Sequence, residues 1–207
     1  MSQFTYEYTD RTDKLETYEW DNVWWEQTAK SDVPRVLYIG DSISCGVRRT
    51  ATELANNSLL FDGVGTSKAV DNPYFMNLIS LFAKQQGSRR VICFNNGLHG
   101  WHLEDAIEYK QYYETLLSAI LKEFEKTPVL LVLTTSVLNK EREDRVVTRN
   151  NVVKEIAKKY NLPIVDYYSI TKGREDLFTE DGVHLSQEGY TLLADCLVRS
   201  IKEVLNK

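Results

Sequence analysis

Apolar positions along the chain follow two alternating rhythms. Five short runs have the length and composition of strands, at 36–39, 58–61, 91–95, 128–134 and 163–167. In the fourth, Val129, Leu130, Leu131, Val132 and Leu133 are consecutive, which predicts a central parallel strand covered on both faces. Between the runs, apolar residues recur at helical spacing. The segment 73–84 aligns Tyr74, Leu78, Leu81 and Phe82. The segment 103–126 aligns Tyr109, Tyr113, Leu116, Leu117, Ile120, Leu121 and Phe124, and 141–160 aligns Val146, Val153, Ile156 and Ala157. A last helix is expected over 186–204, with Ser186 as its N-cap. Repeated strand–helix alternation predicts the α/β class, as a three-layer α/β/α sandwich on a five-stranded parallel sheet.

Residues 1–34 break this rhythm. They carry a dense aromatic set, Phe4, Tyr6, Tyr8, Tyr18, Trp20, Trp24 and Trp25. The expectation is an extension packed on a domain spanning 35–207, the tryptophans docking it rather than forming a lid. With 207 residues the chain can bury a full core. A net charge of −5 with no basic stripe speaks against nucleic-acid binding, and Arg48-Arg49 and Arg89-Arg90 read as isolated solvated pairs. No run approaches the ~18 apolar residues that span a bilayer, so no membrane partner is expected. The first ten residues lack a basic n-region and an apolar h-region. Cys45, Cys93 and Cys196 form no pairing pattern, which fits a reducing, cytoplasmic setting; Cys93 and Cys196 read as buried packing residues. The pattern specifies no oligomeric state.

The sharpest chemistry lies at the two ends of this domain. The first apolar run ends in Gly40-Asp41-Ser42, and Asp181-Gly182-Val183-His184 precedes the last helix. A serine hydroxyl is a weak nucleophile until a base takes its proton. His184, three residues after a carboxylate, is the best base among His99, His102 and His184. In a parallel α/β sheet, ligands bind beyond the C-terminal strand ends. Ser42, the Gly97-Leu98-His99 segment and the Asp181–His184 loop should therefore share one rim. Plainer readings compete. Asp41 or Ser42 could merely cap the next helix, although Gly46 speaks against an immediate long one. A phosphate loop would need Gly-x-Gly-x-x-Gly or Gly-Lys-Ser/Thr, and neither is present. His99-x-x-His102 lacks a ligand cluster beyond Glu104 and Asp105, so no metal and no cofactor is expected.

With these blocks the chain resembles the SGNH (GDSL-type) hydrolase superfamily over about residues 34–205. Gly40-Asp41-Ser42-Ile43-Ser44 and Asp181-Gly182-Val183-His184-Leu185-Ser186, followed by Gly189-Tyr190, carry the resemblance. Thr134-Thr135, and Asn151 with Ala157, also fit its pattern. The resemblance implies a flavodoxin-like sandwich, Ser42 as nucleophile, and His184 as base oriented by Asp181. It also implies an oxyanion hole built from the Ser42 N–H, a second-block glycine and an asparagine. The second block is Asp62-Gly63-Val64-Gly65-Thr66-Ser67; Gly63 or Gly65 would donate, with Gly63 favoured. The third block departs from Gly-x-Asn-Asp. It reads Phe94-Asn95-Asn96-Gly97-Leu98-His99-Gly100-Trp101 and is similar to a branch carrying Phe-Asn-x-Gly-Leu-His-Asp. His99 then stands at the asparagine position, with Asn95 a second candidate donor. A structural, hydrogen-bonded histidine is the competing reading. Gly100 replaces the usual aspartate, so whatever that carboxylate supports is missing or supplied from elsewhere.

The expected activity is that of a serine esterase acting on short acyl esters, O-acetyl above all, carried by a small molecule or carbohydrate. Asp41 and Trp101 are the candidate substrate contacts. An acyltransferase using the same triad is the alternative. An inactive carbohydrate-binding protein is a second, motivated by the altered third block.

Overall fold

The computed structural model describes residues 16 and 18–206; Phe4, Tyr6 and Tyr8 of the aromatic set lie outside them. The elements run β1 (Asp21–Trp24), β2 (Arg35–Gly40), α1 (Ser42–Leu54), β3 (Leu60–Thr66), α2 (Phe75–Gln86), β4 (Val91–Phe94), α3 (Ala106–Glu123), β5 (Val129–Val132), α4 (Lys140–Tyr160), β6 (Ile164–Val165), α5 (Tyr167–Thr171), a 3₁₀ turn at Glu175–Leu177 and α6 (Gln187–Leu205). The sheet order is β1-β3-β2-β4-β5-β6. The five strands β2 to β6 are parallel, as expected. The sheet nevertheless has six strands, because β1 adds antiparallel to β3. The sequence rhythm missed it because β1 is exposed at all four positions, so burial left no alternation to read.

Period-two alternation sorts the strand side chains onto two faces. Leu37, Ile39, Ile92, Phe94 and Leu131 join α2, α3 and α4 in one core cluster. Val36, Tyr38, Val91, Cys93, Leu130 and Val132 join α1 and α6 in the other. Cys93 is buried as expected, whereas Cys196 is only half-buried. Among the described residues no helix is long and apolar enough to cross a membrane.

The immediate long helix that Gly46 seemed to exclude does form. The Asp41 carboxylate accepts from Ile43 N–H as the N-cap of α1, and this sets the start of the helix. Gly46 is needed for a tertiary reason. A Cβ there would lie 2.3 Å from Cε1 of Tyr190 on α6, so the glycine lets the two helices close together.

The segment before β2 is held by one buried carboxylate. Asp62 accepts from Arg35 Nη1 at 2.8 and 2.9 Å, from Glu26 N–H at 2.7 Å and from Gln86 Nε2 at 2.8 Å. Trp25 stacks on Phe82 with centroids 4.6 Å apart, while Trp24 remains 44% exposed. From β2 the chain steps outward to β3 and then crosses back to β4 on the other side. The order reverses between β2 and β4, where parallel α/β sheets open a crevice at their C-terminal ends.

Candidate active site

Three loops meet at that crevice. Ser42 is the first residue of α1, directly after the tip of β2. Asp181 and His184 lie in the turn before α6, closed by Thr179 N–H to His184 O at 2.8 Å and by Gly182 N–H to Thr179 O at 3.0 Å. Gly182 takes φ +68° there, a backbone region glycine enters without steric cost. Ser186 accepts from Gly189 N–H as the cap of α6, which fixes where the turn ends.

Ser42 and His184 are 142 positions apart in sequence, and the fold brings them together. His184 Nε2 lies 2.8 Å from Ser42 Oγ, and His184 Nδ1 lies 2.5 Å from Asp181 Oδ2. The other Asp181 oxygen accepts from Thr179 Oγ1, Val183 N–H and His184 N–H, each at 2.9 Å. The His184 hydrogen bond, and then the Val183 N–H, hold the Asp181 carboxyl far below the usual carboxylate range. An ionised Asp181 requires Nδ1 to carry a proton, which leaves Nε2 as the acceptor facing the serine. That is the tautomer a general base needs. The His184 and Asp181 side chains are 43% and 51% exposed, so water reaches the base directly.

The candidate oxyanion donors fall in distinct surroundings. Asn95 turns inward, its Nδ2 donating to Val132 O at 2.8 Å and to Thr134 Oγ1 at 3.1 Å, so its donors are spent on the β5 end. Gly63 lies inside β3, in register with Tyr38 on one side and Trp24 on the other. A Cβ there would meet Arg48 Cδ at 2.5 Å. Gly65 instead pairs with Gly40, and its missing side chain would meet Cys45 Sγ at 2.3 Å and Asp41 O at 3.1 Å. Gly65 is therefore the glycine against the turn that carries Ser42. Ser42 N–H sits at the positive end of α1, where no intrahelical acceptor exists. Asp41, a candidate substrate contact, is only 1% exposed. It caps α1 from inside, and burial raises its pKa.

His99 follows β4 and is paired to Glu16, Nδ1 to Oε2 at 2.9 Å, while the other Glu16 oxygen accepts from Gly100 N–H at 3.0 Å. His102 has its own carboxylate, Asp71, at 2.7 Å, so the two histidines of His99-x-x-His102 face separate partners. Trp101 flanks a groove of about 380 Å³ shared with Glu104, Asn139, Glu141, Arg142 and Arg145. Both guanidiniums lie over its ring, at 5.0 and 4.7 Å. Leu138, next in sequence to Asn139 of this groove, donates its N–H to Gly182 O in the turn before α6 at 2.8 Å.

Two buried residues on α4 organise the rim without having been anticipated. Asn150, rather than the neighbouring exposed Asn151, braces the β5 end: it accepts from Thr134 N–H and donates to Thr134 O, both at 2.9 Å. Arg149, 2% exposed, donates to the carbonyls of Gly97, His99, Gly100 and Leu103 at 2.6 to 3.0 Å. Burial lowers its pKa, but a guanidinium remains charged. One cation thus gathers the whole loop that carries His99. Its signal was available in sequence: Arg149 occupies the apolar stripe of its helix, three residues after Val146 and four before Val153. Arg149→Met strands those carbonyls, each orphan costing about 1–3 kcal/mol. The melting temperature should fall by on the order of 10 °C in a circular-dichroism melt. A shift under roughly 2 °C, less than about 1 kcal/mol, would remove Arg149 from this role.

Residues 94–197 match the GDSL-like Lipase/Acylhydrolase family. The O-acetyltransferase OatA of Staphylococcus aureus (strain NCTC 8325) is 26% identical over 181 residues, covering 85% of this chain. The chain spans only 27% of that relative's length. The C-terminal catalytic domain of Streptococcus pneumoniae peptidoglycan O-acetyltransferase A superposes with TM-score 0.66 at 16% identity, covering 84% of this chain and 96% of that one. An acetyl xylan esterase, AlAXEase, superposes with TM-score 0.61 at 20% identity, over 81% of this chain and 99% of its own.

Proposed function

We infer that this chain, which belongs to the GDSL-like lipase/acylhydrolase family, is a serine esterase that removes short acyl groups, above all O-acetyl, from a carbohydrate. The observation that carries the reading is the continuous relay from Asp181 through His184 to Ser42, at 2.5 and 2.8 Å. Ser42 Oγ attacks the ester carbonyl carbon while His184 Nε2 takes its proton. The C–O bond to the alcohol breaks as His184 returns that proton to the leaving oxygen. Water then attacks the acyl-serine, gives its proton to His184, and the acid leaves with Ser42 restored.

One observation supports a short acyl group on a polar carrier. The groove at Trp101 is lined by charged and amide side chains, whose donors and acceptors suit the hydroxyls of a sugar better than a fatty chain. Acyl transfer to a sugar hydroxyl is the second reading, favoured by the similarity to OatA proteins. The exposure of His184 favours water as acceptor.

A panel of p-nitrophenyl esters from acetyl to dodecanoyl, run beside acetylated sugars, tests the substrate class. kcat/KM should fall by on the order of 10-fold between acetyl and hexanoyl, and acetate should be released from the sugars. A preference for long chains would overturn the short-acyl reading. Acetyl groups appearing on an added sugar in place of free acetate would establish transfer.

A further inference from the structure

The third block lacks its usual carboxylate, since Gly100 stands where an aspartate is expected. The fold supplies one from 84 residues away in sequence. Glu16 spans the block, one oxygen on the His99 ring and the other on Gly100 N–H. Both side chains are largely covered, Glu16 at 19% and His99 at 16% exposure. The approach is fixed by neighbours on the same segment. Trp20 packs edge-on against the His99 ring, with centroids 5.8 Å apart. Glu19 accepts from Ser67 Oγ, which in turn accepts from Trp20 N–H. Asp21 pairs with Lys68 at 2.8 Å.

This arrangement fixes one of the ring protons. A carboxylate accepts only, so Nδ1 must carry a proton. In a neutral ring with that tautomer, Nε2 would be a lone pair, which repels an oxyanion. Nε2 donates only if the ring carries both protons. We propose that Glu16 is a positioning residue of the oxyanion site: it holds His99 doubly protonated, so that Nε2–H is presented to the oxyanion formed at Ser42. The inference rests on the hydrolase reading above.

The electrostatics agree. Burial opposes a charge on His99, but the Glu16 hydrogen bond and the carboxylates of Asp41, Glu16 and Glu19 outweigh it and raise its pKa. Glu16 is also partly desolvated, and its bond to His99 still leaves its pKa lowered. Opposing charges nearby are Arg149, bonded to the His99 carbonyl, and His102, which acts on Glu16. A group with a raised pKa keeps its proton until the pH passes that value. Turnover should therefore decline on the alkaline side as His99 loses its second proton.

The direct test is the imidazole titration of His99 by NMR in Ser42→Ala protein, where only three histidines contribute. His99 should titrate above its ordinary value of about 6.5. In Glu16→Gln the amide keeps its oxygen for Gly100 N–H and turns its NH₂ to Nδ1. This selects the Nε2–H tautomer and drops the titration below that value. In otherwise active enzyme, Glu16→Gln should lower kcat with little change in KM, by less than the roughly 10²-fold of deleting a donor outright. It should also abolish the alkaline decline, while Glu16→Asp should retain it. A wild-type His99 titrating at or below the ordinary value overturns the proposal, as does an identical pH–rate shape in wild type and Glu16→Gln. The ring titration needs no turnover, so the two readings fail differently. A raised titration in a protein that no fluorophosphonate labels would remove the hydrolase reading and the oxyanion role with it. An ordinary titration in a labelled protein would remove the Glu16 role alone.

Discussion

Ser42→Ala should lower kcat for p-nitrophenyl acetate by on the order of 10⁶-fold and abolish fluorophosphonate labelling, while the melting temperature should stay within roughly 2 °C. The chemistry loses its nucleophile outright, so the remaining rate comes from binding and the oxyanion donors alone. The fold loses almost nothing. The cap of α1 is the Asp41 carboxylate on Ile43 N–H, and the only hydrogen-bond partner of Ser42 Oγ among the described residues is His184. The stability control matters because the same turn contains Asp41 and packs against Gly65 of β3, which would complicate a larger substitution. A wild type that labels no faster than Ser42→Ala would leave a binding protein in place of an enzyme.

Asp181→Asn should cost on the order of 10⁴-fold in kcat with the site geometry intact. The asparagine Oδ1 still accepts from Val183 and His184 N–H, the contacts that shape the turn. Its NH₂, however, meets His184 Nδ1 in place of a carboxylate oxygen, and it can only donate there. The ring must then carry its proton on Nε2, facing Ser42, where it can accept nothing. Asp181→Ala would lose the turn contacts as well and so confound tautomer with geometry. Because the carboxyl of Asp181 titrates well below the usual range, it stays ionised as pH falls through that range. No activity loss there should trace to its protonation, and pH–rate profiles between pH 4 and 6, near ordinary carboxylate values, would check this. A loss of under about 10-fold in Asp181→Asn would show that another group orients His184.

The meeting of Ser42 with His184 and Asp181 was legible because each lies in a local block whose spacing is itself chemical. Strand-end serine and Asp-x-x-His need only a few consecutive residues to be recognised. Strands β2, β4 and β5 were legible because burial on both faces leaves consecutive apolar residues, whereas the run at 58–61 meets β3 only at its start. What escaped depends on contacts remote in sequence. The glycine inside α1 answers to Tyr190, which fills the space a Cβ at Gly46 would take, and no local rule about glycine in helices contains that information. That Gly65 rather than Gly63 lies against the turn of Ser42 depends on strand register. Asn150 rather than Asn151 is a matter of helix phase, the two being about 100° apart. The inward turn of Asn95 follows from acceptors on β5. Glu16 gave no signal at all, because a glutamate in an irregular aromatic segment has no pattern to break.

Strand β1 also acts as a gauge. Its pairing of Asp21 with Thr66 and Trp24 with Gly63 fixes where the chain enters the sheet edge, and thereby how far the preceding residues reach across the rim. Each residue of extended chain advances about 3.3 Å, more than the tolerance of a hydrogen bond. Inserting or deleting one residue between Glu16 and Asp21 leaves the ladder intact but misdelivers the carboxylate. Tolerance to length change should therefore be low in that short connection and high at exposed turns such as Gly87 or Gly173, where a side chain would meet nothing within 4 Å.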